Sequence, residues 1–166
     1  MRYVLRTHVP THHRVLLVES GSRYLFEDTI GGLYTCHHEL ERVDLVTCYP
    51  GAPSNFDATR GEVFRVKDYG GRAGRKRLYA KLRAARYDVI GMICSGEPIM
   101  TKWKWTLAWK LPAKVFVLNE NADWFWLDRG HWRIIKRFTL VRAGLAGSEG
   151  VATLARLALF PLTSGA

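Results

Sequence analysis

An α/β fold is predicted: one parallel sheet of about five strands with helices on both faces, then a basic amphipathic and apolar helical segment at the C-terminus. Three observations predict it. Apolar runs rich in β-branched residues recur along the chain without polar alternation, as in strands covered on both sides. Segments of helical period fall between them, the pattern of βαβ units with right-handed crossovers. The 166 residues are 48% hydrophobic, a globular composition long enough to bury one sizeable core.

The elements follow in order. Residues 14–22 (RVLLVESGS) read as a first strand ending in small polar residues. Residues 23–38 read as a helix with Leu25, Ile30 and Leu33 apolar, although Gly31-Gly32 weakens its propensity. Residues 43–51 (VDLVTCYPG) are a second strand stopped by Pro-Gly, and 62–66 (EVFRV) a third after a long loop. Residues 74–87 form a basic helix with Leu78, Leu82 and Ala85 on one face. Residues 88–96 (DVIGMICSG) are the fourth strand, and 114–118 (KVFVL) the fifth. Between them, 101–111 is a helix with Thr101 as its expected cap. The expected division is a domain of residues 1–125 and a helical segment of 126–166.

In such a Rossmann-like sheet, ligands bind beyond the carboxyl ends of the strands, where strand order reverses. The residues delivered there are Ser20, Gly21 and Ser22 from the first strand, Lys67 from the third, Ser95, Gly96 and Glu97 from the fourth, and Asn119 from the fifth. These are the expected ligand contacts. Ordinary βα turns use the same residue types.

The formal net charge is +10 and the sequence pI about 9.9, a balance that favours an acidic partner. Ten Lys and Arg stand from Arg60 to Arg86 against Glu62 and Asp68. Within them, Arg72, Arg75 and Lys76 sit where a loop meets a helix N-terminus, and they are the expected phosphate contacts. The spacing of a P-loop is absent. The three cysteines are an odd number without a CxxC pair, which points to a reducing, cytoplasmic setting rather than a disulfide framework.

The order RVLLVESGS, helix, VDLVTCYPG, loop, EVFRV, helix RLYAKLRAARYDVIGMICSG resembles the N-terminal half of GT-B glycosyltransferases, over residues 14–120. It is most similar to the heptosyltransferase-like family of lipopolysaccharide biosynthesis. In that family a basic helix ending in Tyr-Asp runs into the fourth strand, as Arg83, Arg86, Tyr87, Asp88, Val89 and Ile90 do here. The resemblance implies a sugar-phosphate or nucleotide-sugar ligand and a partner domain that binds the donor. It also implies a catalytic aspartate in a Gly-Asp pair after the first strand. Tyr24-Leu25 stand in that place, with Glu19 before and Glu27 and Asp28 one turn beyond as the substitutes on offer for a general base. With the donor-binding half absent as well, the chain is expected to be non-catalytic alone.

All six tryptophans lie between Trp103 and Trp132. Such residues among cations stack on bases, sit at membrane interfaces or pack on a sheet, and packing is expected of Trp105 and Trp109. Trp124 and Trp126 would share a face if extended. Residues 131–145 place Ile134, Phe138, Val141 and Leu145 on one helical face and Arg133, Lys136 and Arg137 on the other. With Trp132, they read as an interfacial helix for an anionic membrane surface, or as a helix packed on the domain. Residues 150–162 are apolar but too short to span a bilayer. His12-His13 and His37-His38 are adjacent pairs without metal-helix spacing, so neither a metal nor a cofactor is expected.

Two functions remain open. One is a glycosyltransferase-like domain of bacterial envelope polysaccharide biosynthesis, cytoplasmic and peripheral at the inner membrane face. The other is a non-enzymatic, basic, Trp-rich binding domain for an anionic membrane, with nucleic acid ranked behind.

Overall fold

The computed structural model describes residues 7–94, 99–119 and 123–142. The chain divides into two compact units, residues 1–130 and 131–166. The first unit runs β1 (Arg14–Glu19), α1 (Arg23–Cys36), β2 (Arg42–Thr47), β3 (Val63–Arg65), a 3-10 turn (Val66–Tyr69), α2 (Gly71–Ala84), β4 (Val89–Ile93), α3 (Thr101–Lys110), β5 (Lys114–Leu118) and β6 (Trp124–Trp126). The second contributes one described helix, α4 (Trp132–Arg142).

The sheet order is β3-β2-β1-β4-β5-β6. Five strands are parallel, and β6 returns antiparallel to β5. Strand order therefore reverses between β1 and β4, which is a Rossmann-like arrangement. The uniform apolar runs have their cause in this layering. Val15, Leu17, Val43, Leu45, Val89 and Ile93 face Leu25, Phe26, Ile30 and Leu33 of α1 in one cluster. By strand alternation, Leu16, Val18, Ile90 and Met92 face the other side, and all are fully buried. Right-handed crossovers from β3 to β4 and from β4 to β5 put α2 and α3 on that side, where Leu78, Leu82 and Leu107 are fully buried. Each such side chain contributes about 1.5–3 kcal/mol on burial.

Gly61 and Gly74 are fixed by close approach to other backbone. A Cβ on Gly61 would lie 1.7 Å from the Val43 carbonyl oxygen, and one on Gly74 2.6 Å from the Tyr69 carbonyl carbon. Gly74 thereby lets the first turn of α2 fold against the preceding 3-10 turn, so the helix starts at Gly71 rather than Gly74.

The predicted layering holds, with local corrections. The sheet has six strands, because the short Trp124–Trp126 segment pairs with β5, and it puts Trp124 and Trp126 in edge-to-face contact at 6.1 Å. Thr101 is the first helical residue and not the cap; Met100 precedes it in the left-handed region at φ 51°. Trp105 and Trp109 do not pack, being 44% and 61% exposed. The packed indoles are Trp103 against Tyr79 and Trp126 against Phe116. Gly91 leaves room for the latter, since its missing Cβ would meet the Phe116 ring at 2.3 Å.

Candidate functional site

On the β1 side of the switch point, Glu19, Ser20 and Gly21 are committed to neighbouring residues. Glu19 ends β1 fully buried and accepts hydrogen bonds from Arg23 Nε, Arg23 Nη2 and Thr47 Oγ1. Ser20 is fully buried too, and its hydroxyl donates to the Ile93 carbonyl at 2.7 Å. Gly21 is buried and its carbonyl accepts from the Tyr49 hydroxyl. Ser22 holds the N-cap position of α1, but its hydroxyl makes no capping bond. On the β4 side, Ser95, Gly96 and Glu97 lie outside the described residues. Lys104 of α3, overlooked in the sequence within its run of tryptophans, reaches this edge. Its buried ammonium donates to the same Ile93 carbonyl at 3.0 Å.

The other expected contacts are spread along the carboxyl edge. Lys67 is exposed in the 3-10 turn after β3. Asn119 closes the β5–β6 hairpin: its Oδ1 accepts from the Asp123 backbone N–H at 2.9 Å and its Nδ2 donates to Asp123 Oδ2. The structure therefore gathers Ser20, Gly21 and Ser22 at the switch point and leaves Lys67 and Asn119 at the flanking strands.

No carboxylate takes the place that the resemblance assigns to a base. Tyr24 is exposed there and Leu25 buried. Glu27 accepts from both the backbone N–H and the hydroxyl of Ser54 at 3.0 and 2.9 Å. These bonds hold its carboxyl below the usual carboxylate range, which weakens it as a base. Asp28 is exposed and lines a cavity of about 550 Å³ between α1 and the β5–β6 edge.

Arg72, Arg75 and Lys76 come together. They line one cleft of about 490 Å³ with Tyr79, Thr106 and Lys110. The last two were not legible as partners, because α3 meets α2 only in the folded sheet. Lys110 Nζ stands 4.8 Å from the centroid of the Tyr79 ring, a cation–π distance. Among the described residues none of these four cations is in an ion pair. Four cations thus line one cleft, a concentration of positive charge.

Two further acidic groups are structural. Asp44, fully buried in β2, accepts from Arg42 Nε, the Glu62 backbone N–H and the Tyr87 hydroxyl. Asp128 accepts from Lys114 Nζ at 2.7 Å, both side chains being buried. In the second unit, Trp132, Arg133, Ile134, Lys136 and Arg137 of α4 are exposed and Phe138 half-buried. No described helix is long and apolar enough to cross a membrane.

No protein-family model and no curated protein matches this chain. Among solved structures, it is similar to glycinamide ribonucleotide transformylase 1 from Geobacillus kaustophilus. That match has 19% identity and a TM-score of 0.38, and covers 63% of this chain and 57% of the other. The chain thus spans little more than half the length of the solved structure that it matches.

Proposed function

We propose that this chain is a glycosyltransferase-like domain of bacterial envelope polysaccharide biosynthesis that binds a phosphate-bearing sugar or nucleotide sugar and does not turn it over alone. The observation that carries this reading is the convergence of Arg72, Arg75, Lys76 and Lys110 on one cleft beside Tyr79 and Thr106. A cleft walled by cations beside an aromatic ring suits a phosphate attached to a ring-shaped group. The non-catalytic part of the reading rests on Tyr24 and Leu25 standing in place of a base, and on Glu19 and Glu27 being held by Arg23, Thr47 and Ser54. A second domain would bind the donor, at the inner face of the cytoplasmic membrane.

Calorimetric titration with pyrophosphate and with UDP-glucose tests the site. Binding should weaken with added salt, and an Arg75→Glu/Lys76→Glu variant should lose at least about tenfold in affinity, as expected when charge-assisted contacts become repulsive. Equal affinity of parent and variant would refute the site, and steady release of UDP by the purified chain would refute the non-catalytic reading.

The second reading, an anionic membrane surface as partner, is favoured by α4, where exposed Trp132 and Ile134 accompany exposed Arg133, Lys136 and Arg137.

A further inference from the structure

The fold brings together three side chains that the sequence keeps apart. His12 lies in the segment before β1, His37 caps the C-terminal end of α1, and Glu39 follows in the turn to β2. One ligand atom from each lies within 4.8 Å of the other two. The imidazoles of His12 and His37 have ring centroids 4.2 Å apart, tilted by 31°, and His37 Nδ1 is 3.7 Å from Glu39 Oε1. In a tetrahedral zinc site with bonds of about 2.1 Å, neighbouring ligand atoms stand about 3.4 Å apart. The His37–Glu39 separation is already close to that edge.

The backbone around the three is tied together. The His13 carbonyl accepts from the backbone N–H groups of Glu41 and Arg42 at 2.8 and 3.0 Å. The His13 ring is 3.0 Å from the Glu39 carbonyl. The His37 N–H donates to the Leu33 carbonyl and the Leu40 N–H to the His37 carbonyl, both at 3.1 Å. The segment holding His12 is thus stitched to the segment holding Glu39, and His37 is anchored to α1. The His12 ring also stands 6.0 Å from Trp126. The backbone that carries the three side chains is thus held without an ion.

We propose that His12, His37 and Glu39 form a binding site for a divalent transition-metal ion, with zinc the best match, at the rim of the cavity between α1 and the β5–β6 edge. Two imidazoles and a carboxylate are borderline donors that suit zinc, whereas magnesium and calcium take oxygen ligands. Three protein ligands leave a fourth position, the arrangement of sites that bind an exchangeable group. His12 and His37 line the cavity, whose wall is otherwise largely apolar, with Leu25, Leu33, Phe116 and Leu118 in it. The fourth position therefore suits a water, or the anionic oxygen or sulfur of an apolar molecule in that space. This inference is independent of the phosphate cleft, which lies across the sheet on α2 and α3.

The test is zinc competition against a chromophoric chelator, using the full chain under reducing conditions. Parallel cobalt titrations are read by visible absorption. His12→Ala, His37→Ala and Glu39→Gln are compared with His38→Ala and Cys36→Ser as controls, since Cys36 lines the same cavity. Circular dichroism confirms that each variant is folded, as expected for half-buried and exposed positions. The parent should bind one equivalent of zinc and give the cobalt spectrum of a four-coordinate site. His12→Ala and His37→Ala should each weaken zinc at least about tenfold, a loss already seen when mere supporting contacts of a metal site are removed. Glu39→Gln should weaken it as well, and the controls should bind like the parent. No saturable zinc binding by the parent, or undiminished binding by the His12→Ala and His37→Ala variants, would overturn the proposal. So would loss of zinc in the Cys36→Ser control.

Discussion

Arg23 reaches back from the first turn of α1 to grip Glu19 at the end of β1, with Nε 2.6 Å from Oε1 and Nη2 3.3 Å from Oε2. Glu19 is fully buried and Arg23 partly exposed. The pair locks the β1–α1 turn at the switch point, and Thr47 of β2 adds a third bond. A carboxylate held in this way supports the fold. Arg23→Ala leaves a buried charge with most of its compensation gone, which costs about 3 kcal/mol. Urea denaturation should show a lower midpoint with an unchanged slope, the stability extrapolated to water falling by that amount; an unchanged midpoint would show that Glu19 is not held by the pair.

Tyr87 and Asp44 form the second buried polar contact. Burial, and then the hydrogen bond to Asp44, push the Tyr87 phenol far above its ordinary value. A folded-state pKa above the unfolded value means that this contribution is complete below pH ~10 and fades above it, by about 1.4 kcal/mol per pH unit. Tyr87→Phe should cost about 1.5–3 kcal/mol at neutral pH, the range for a hydrogen bond to a charged group. The gap between parent and variant should close as the pH rises past that point. A gap that stays constant to alkaline pH would contradict the assignment.

Gly61 sits where β3 approaches β2. The Val43 N–H donates to the Arg60 carbonyl and the Leu45 N–H to the Glu62 carbonyl, so the backbone on both sides is fixed. The atom that a Cβ would strike is itself backbone, at 1.7 Å, and cannot rotate away. Gly61→Ala should destabilise by about 3 kcal/mol, the upper end of overpacking costs, and should expose the β3 amides to hydrogen exchange first. Protection at β2 and β3 equal to the parent's would count against this account.

As a proposal for the second unit, α4 binds anionic vesicles as an interfacial helix. Each Lys or Arg near such a surface contributes about 1 kcal/mol, so Arg133, Lys136 and Arg137 together supply about 3. Burial of Ile134 and Phe138 adds a hydrophobic contribution of a few kcal/mol on the scale of ~25 cal/mol per Å². Co-sedimentation should fall for Phe138→Asp and for a triple Arg133/Lys136/Arg137→Glu change. Retention by both variants would make α4 a packing element.

Local sequence determined the layered architecture. Runs such as Val15–Val18 and Val89–Ile93 are apolar on both faces because helices cover both sides of the strands, and that demand is written residue by residue. The basic character of α2 is equally local, and i, i+3, i+4 spacing alone puts Arg72, Arg75 and Lys76 on one face. What joins distant segments was decided by tertiary structure alone. Lys110 and Thr106 complete the cleft because right-handed crossovers put α3 beside α2. Glu19 meets Thr47 because parallel pairing sets β1 and β2 in register. His12 meets His37 and Glu39 because α1 ends near the entry to β1. The exposure of Trp105 and Trp109 follows the same logic. Helical period placed them one turn apart on one face, but only the docking of α3 decided which face the sheet covers. Periodicity encodes the faces of an element, whereas distances between elements depend on crossover hand, strand register and side-chain volume summed over the whole core.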